Sequence, residues 1–185
     1  MGKTAFIFSG QGSQYVGMGK DLYDNFSAAR KIYDEADEVL NESISKFCFE
    51  GPEEKLQETE ITQPAVLTHS IACYSVLKEE GIIPDMVAGL SLGEYSALVA
   101  SESLEFCDAV PLVKKRGKYM QEAVPIGKGT MAAIIGLERD QVIEICREAA
   151  DEGVVEAANF NCPGQIVVAG EVKAVNKAIE LARSK

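Results

Sequence analysis

The sequence predicts an α/β protein of two lobes, and three observations carry that reading. Residues 4–8 and 86–88 are short apolar runs that end in glycine- and serine-rich turns, the pattern of buried parallel strands. Helical patterns fill the chain between and after them. Beyond Pro125-Ile-Gly-Lys-Gly129 the order of elements changes to β-α-β-β-α, that of a ferredoxin-like unit without its last strand. The lobes are therefore expected over residues 1–125 and 126–185.

Each element has its own warrant. Residues 4–8, Thr-Ala-Phe-Ile-Phe, form a strand far too short for a signal h-region or a membrane span. A helical pattern, expected to be broken, covers residues 15–40. The next helix covers residues 63–80, with Thr62-Gln63-Pro64 as its N-cap and first turn. Gly81 is a natural residue to end it, and Pro84 lies just beyond. A helix follows Ser91, and another covers residues 106–123. In the second lobe residues 130–135 read as a strand and 140–152 as a helix. Residues 154–159 and 165–169 are strands, with Asn161-Cys-Pro-Gly164 in the turn between them, and 172–183 close the lobe as a helix. Two parallel strands are fewer than the roughly 4–6 of an ordinary sheet, and the sequence ends inside a helical pattern. Both lobes are thus expected to be incomplete, as in the N-terminal part of a longer protein.

Composition narrows the function. Of 185 residues, 46% are apolar and 25% charged, which is ordinary for a globular chain with a buried core. The formal net charge of −11 repels polyanions and argues against nucleic-acid binding. The acidic runs at Asp34, Glu35, Asp37 and Glu38, and at Glu53, Glu54, Glu58 and Glu60, read as solvated helix faces. Cys48, Cys73, Cys107, Cys146 and Cys162 stand far apart, with no C-x-x-C pair. That is the usage of a reducing cytoplasm, where cysteine serves as a small buried hydrophobe. No membrane association and no metal site are expected.

Three segments carry chemistry. Gly89-x-Ser91-x-Gly93 follows an apolar strand and precedes a helix, as a nucleophile elbow requires. A sharp strand-to-helix turn forces strained angles on the serine, and the glycines two residues away on either side prevent clashes. The hydroxyl then stands at a helix N-terminus, where the backbone N–H of Leu92 can meet an oxyanion. An ordinary strand–glycine–helix turn is the competing reading. Ser9-Gly-Gln-Gly-Ser-Gln14 follows the first strand, so Gln11 could offer a second oxyanion donor. A plain turn remains open there, whereas a phosphate loop would need a following Lys-Ser or Lys-Thr. Lys114-Lys-Arg-Gly-Lys-Tyr-Met120 is the one strongly basic turn. A solvated face explains its lysines; Arg116, beside the small Gly117, suits bidentate capture of a carboxylate.

Together with Thr62-Gln63-Pro64 and Ala158-Asn-Phe-Asn-Cys-Pro-Gly-Gln165, these segments resemble the malonyl-CoA:acyl carrier protein transacylases and the acyltransferase domains of fatty acid and polyketide synthases. The resemblance covers essentially the whole chain. It implies an α/β-hydrolase-like lobe with a parallel sheet and an inserted ferredoxin-like lobe. It implies that Ser91 takes a malonyl group from coenzyme A and passes it to the phosphopantetheine thiol of acyl carrier protein, in cytoplasmic fatty acid synthesis. Leu92 and Gln11 would form the oxyanion hole, and Arg116 would bind the malonyl carboxylate. Malonyl-CoA and acyl carrier protein are the implied partners; coenzyme A enters as a substrate thioester and no cofactor is implied. Carrier proteins of this kind are acidic, which makes Lys114, Lys115 and Lys118 candidates for docking. The chain departs from the family at Leu90, where histidine is common. It also lacks the general-base histidine that follows the nucleophile, because its sole histidine, His69, precedes Ser91. His69 is expected to be structural, and the 185-residue chain a weak catalyst. An esterase or thioesterase on the same elbow, or an inactive fragment, are the alternatives.

Overall fold

The computed structural model describes residues 2–125 and 127–185; Ile126, on which the expected lobe boundary falls, lies outside them. The chain divides into two units, Met1–Gln121 and Glu122–Lys185. The fold is mixed α/β, with one parallel and one antiparallel sheet among the described residues.

In the first unit, β1 (Ala5–Phe8) and β2 (Met86–Gly89) pair in parallel, in step from Ala5–Met86 to Phe8–Gly89. Their C-terminal ends therefore open on the same edge, where parallel sheets present their sites. Five helices connect them: α1 (Lys20–Asn25), α2 (Ser27–Leu40), α3 (Ile44–Glu50), α4 (Glu53–Leu56) and α5 (Thr59–Glu79). After β2 come α6 (Leu92–Ala100) and α7 (Phe106–Ala123). The break expected within residues 15–40 falls at Phe26, whose backbone is extended. Helix begins only at Lys20 because Gly17 and Gly19 take φ of +99° and +74°.

Helix α5 is buried over most of the stretch from Ile61 to Val76, with His69, Ser70, Cys73 and Ser75 partly exposed. It starts one turn earlier than the sequence suggests. Thr62 does not cap it: its hydroxyl donates to the carbonyls of Leu56 (2.5 Å) and Glu58 (3.1 Å), inside a helix already begun. At the other end Gly81 does what its position promises. Its φ is +75°, and its N–H and that of Ile82 close on the carbonyls of Lys78 and Leu77. Around α5 lie Tyr33, Ile44, Cys48 and Leu56 on one side, and Leu92, Val110 and Val113 on another, all fully buried.

The second unit runs β3 (Gly129–Ile135), α8 (Arg139–Ala149), a 3-10 turn, β4 (Val155–Cys162), β5 (Gln165–Glu171) and α9 (Val172–Arg183). That is the expected β-α-β-β-α order, with the antiparallel strands arranged β3-β5-β4. Strand β4 runs three residues further than expected, so only Pro163 and Gly164 remain in the turn, the latter at φ +76°. Ile134, Val142, Ile145, Ile166, Val168 and Val175 form its core.

Two composition-based readings need correction. Only Cys48 and Cys146 are buried; Cys73 is half-buried, while Cys107 and Cys162 are exposed, since α7 and the end of β4 turn those positions outward. Nor is the acidic face of α2 merely solvated. Asp37 accepts from the Ser45 N–H (2.9 Å) and hydroxyl (2.5 Å) at the start of α3, and Asp34 accepts from the Tyr23 hydroxyl (2.9 Å). Among the described residues no helix is long and apolar enough to cross a membrane, and no group of three metal-ligating side chains gathers.

Candidate active site

Ser91 sits between β2 and α6 at φ 53°, ψ −100°. Such a conformation costs an L-residue about 1–3 kcal/mol and persists only where the surroundings impose it. Here they do so through close backbone packing. A Cβ on Gly89 would lie 1.9 Å from the Gly93 carbonyl carbon, and one on Gly93 would lie 2.2 Å from the Phe8 carbonyl oxygen. The elbow is thus pressed against itself and against the end of β1. Leu92 anchors it as a fully buried side chain, while Ser91 stays exposed. As the first residue of α6, Leu92 offers an N–H that has no acceptor within the helix.

The loop after β1 is held on the same edge. A Cβ on Gly10 would meet the Leu90 carbonyl oxygen at 2.7 Å, so only glycine permits this approach. Within the loop the Ser13 hydroxyl donates to the Gly10 carbonyl (2.9 Å), and the Gly12 N–H donates to Gln14 Oε1 (2.8 Å). Side-chain amides tie it to the helices beside it: Gln14 Nε2 donates to Gln57 Oε1 (2.7 Å), and Gln11 Nε2 to the Thr59 hydroxyl (3.4 Å).

Arg116 reaches this edge from α7. Its Nη2 donates to Ser91 Oγ at 2.9 Å and its Nη1 to Gln63 Oε1 at 2.6 Å. The guanidinium carbon also lies 5.6 Å from the centroid of the Tyr95 ring. Gly117 makes this reach possible, because a Cβ there would stand 2.5 Å from the Thr59 carbonyl oxygen at the start of α5. Among the described residues the polar partners of Arg116 are neutral, so its positive charge remains available to an anion. Ser91 and Arg116, 25 residues apart in sequence, thus form one polar centre.

The model of the acyl transferase domain family matches residues 5–185. The chain belongs to that family. It is 53% identical over 184 residues to the malonyl CoA-acyl carrier protein transacylase of Bacillus subtilis (strain 168), covering 99% of this chain and 58% of that protein. The crystal structure of MCAT from Streptococcus pneumoniae superposes with a TM-score of 0.90 at 51% identity, over 98% of this chain and 59% of that one. A type II PKS acyl-carrier protein in complex with its malonyl-transacylase gives 0.93 at 44% identity, over 99% and 60%. The chain therefore spans about three fifths of the length of these relatives.

His69 is engaged away from the elbow: the Tyr33 hydroxyl stands 3.0 Å from its Nδ1, and Cys73 Sγ 3.7 Å from its Nε2. Burial lowers the imidazole pKa below its ordinary 6.5, with the charge of Asp21 opposing in part. Burial also pushes the Tyr33 hydroxyl far up, so it keeps its proton and stays a neutral partner of Nδ1. Lys114 is paired with Glu42, and Lys115 lies over the Tyr119 ring (5.6 Å), which takes Lys114 out of the basic turn considered for docking. Gln63 and Tyr95 were missed as site residues. Gln63 stood in a segment that looks like a cap, and nothing in a helical run distinguishes Tyr95 from a packing residue.

Proposed function

We propose that this chain carries the acyl-accepting part of a malonyltransferase, with Ser91 as the nucleophile and Arg116 as the carboxylate receptor. The observation that carries the reading is the 2.9 Å contact from Arg116 Nη2 to Ser91 Oγ. A malonyl thioester has one methylene between its carbonyl and its carboxylate. An acyl group of that kind, attached at Ser91, brings its anion to the guanidinium beside it. The first unit is read as α/β-hydrolase-like and the second as ferredoxin-like.

In the reaction Ser91 Oγ forms a bond to the thioester carbonyl carbon, coenzyme A leaves as its thiol, and a malonyl ester remains. The backbone N–H groups of Leu92 and Gln11 take the oxyanion. The phosphopantetheine thiol of acyl carrier protein then attacks the ester and releases Ser91. The structure of a malonyl-transacylase with its acyl-carrier protein supports that acceptor. The 185 residues contain one imidazole, and it is occupied by Tyr33 and Cys73. Proton removal from Ser91 therefore lacks a histidine within this chain, and its unaided acylation is slow. A hydrolase on the same elbow would have no use for Arg116.

Charge-assisted hydrogen bonds are worth roughly 1.5–3 kcal/mol, so Arg116→Ala is expected to lower malonyl transfer about 10- to 100-fold. Acetyl transfer, with no carboxylate to lose, should fall much less. The measurement is the malonyl-to-acetyl rate ratio with both coenzyme A thioesters; a ratio equal to that of the unsubstituted protein rejects the assignment.

A further inference from the structure

Gln63 is only 1% exposed, and a glutamine is seldom buried so completely unless both ends of its amide have partners. Both ends do. Arginine only donates, so the atom facing Arg116 Nη1 at 2.6 Å is the amide oxygen. The amide nitrogen then points the other way, donating to Gln11 Oε1 at 3.3 Å and lying 3.7 Å from Met120 Sδ. One side chain thus spans from the guanidinium to the loop beside the elbow. Its neutrality matters as much as its reach. A carboxylate in this place would bind Arg116 more tightly but neutralise it, leaving a substrate anion nothing to answer. An apolar residue would release Nη1, and the long arginine would lose its fixed direction toward Ser91.

We propose that Gln63 is a positioning residue that aims Arg116 at the acyl group and so sets the preference for an acyl chain ending in a carboxylate. This rests on the role given to Arg116 above. With Nη1 anchored by Gln63, the incoming carboxylate replaces Ser91 Oγ at Nη2, and the fork stays in register during the exchange. The backbone of α5 holds Gln63 in turn, and Gly117 keeps α7 close enough for the bond.

The test compares Gln63→Leu, Gln63→Glu and Arg116→Ala, reading KM and kcat for malonyl-CoA and acetyl-CoA with one thiol acceptor. Gln63→Leu removes the anchor at similar volume, and the malonyl-to-acetyl ratio of kcat/KM is expected to fall about tenfold, mostly through KM for malonyl-CoA. Gln63→Glu keeps the acceptor but adds a competing charge. Its ratio is expected to fall at least as far at neutral pH and to recover on acidification as the new carboxyl takes a proton. A residue that merely fills space would move both substrates together, with no such pH recovery. If Arg116→Ala shifts the ratio while both Gln63 variants keep it, the positioning role is wrong. If Arg116→Ala leaves the ratio unchanged, the reading of Arg116 falls first and this inference falls with it. Should the leucine variant not fold, the near-isosteric Gln63→Glu decides alone.

Discussion

Ser91 and His69 show how differently one chain can hold its reactive side chains. Ser91 is strained, exposed and placed beside a cation; His69 is sheltered, held neutral, and bonded to a tyrosine that keeps its proton. The buried ring makes a pH prediction possible. Well above pH 6.5 the imidazole is neutral in both folded and unfolded chains, and it contributes nothing to pH dependence. Below 6.5 the unfolded chain takes up the proton first, because burial has lowered the folded-state pKa. Stability is therefore lost as pH falls from 6.5 toward that lower value. His69→Gln should flatten this part of the curve, measured as the urea midpoint over a pH series. Equal slopes in the two proteins would show that the ring titrates as if it were exposed.

At the scale of elements, the account turns on how closely backbones approach. Replacing a helical glycine by alanine ordinarily gains about 0.8–1.0 kcal/mol of helix propensity. At Gly117 the added Cβ would sit 2.5 Å from the Thr59 carbonyl oxygen, and overpacking of that kind costs about 1–3 kcal/mol. The steric term wins, so Gly117→Ala is expected to destabilise the protein and to weaken malonyl preference by pushing α7 off α5. Chemical denaturation and the malonyl-to-acetyl ratio check both halves; a stabilised variant with unchanged ratio would contradict the packing argument. The elements themselves were largely legible, because strand ends, Gly81 and the hydrophobic periods of α7 and α9 are local signals. The elbow was legible for the same reason: Gly89 and Gly93 flag a turn that only glycine permits. What escaped was non-local. Thr62 resembles a cap until Leu56 and Glu58 are seen to take its hydroxyl, and Gln63 gains its meaning only from Arg116, 53 residues away.

Across the whole molecule, charge sets a constraint that the site resolves locally. A chain of net charge −11 is a poor general host for an anionic acyl group. In the proposed function Arg116 would meet that difficulty through its neutral neighbours, Gln63, Ser91 and the Tyr95 ring, in place of a carboxylate. Five free cysteines, two of them exposed, supply rival nucleophiles for a thioester. The most direct test of the central claim is therefore to locate the acyl group after the protein meets malonyl-CoA, by mass mapping of its peptides. A malonyl ester on the peptide carrying Ser91, absent from Ser91→Ala and diminished in Arg116→Ala, is the expected result. Malonyl found instead on Cys107 or Cys162, or persisting undiminished in Ser91→Ala, would contradict it.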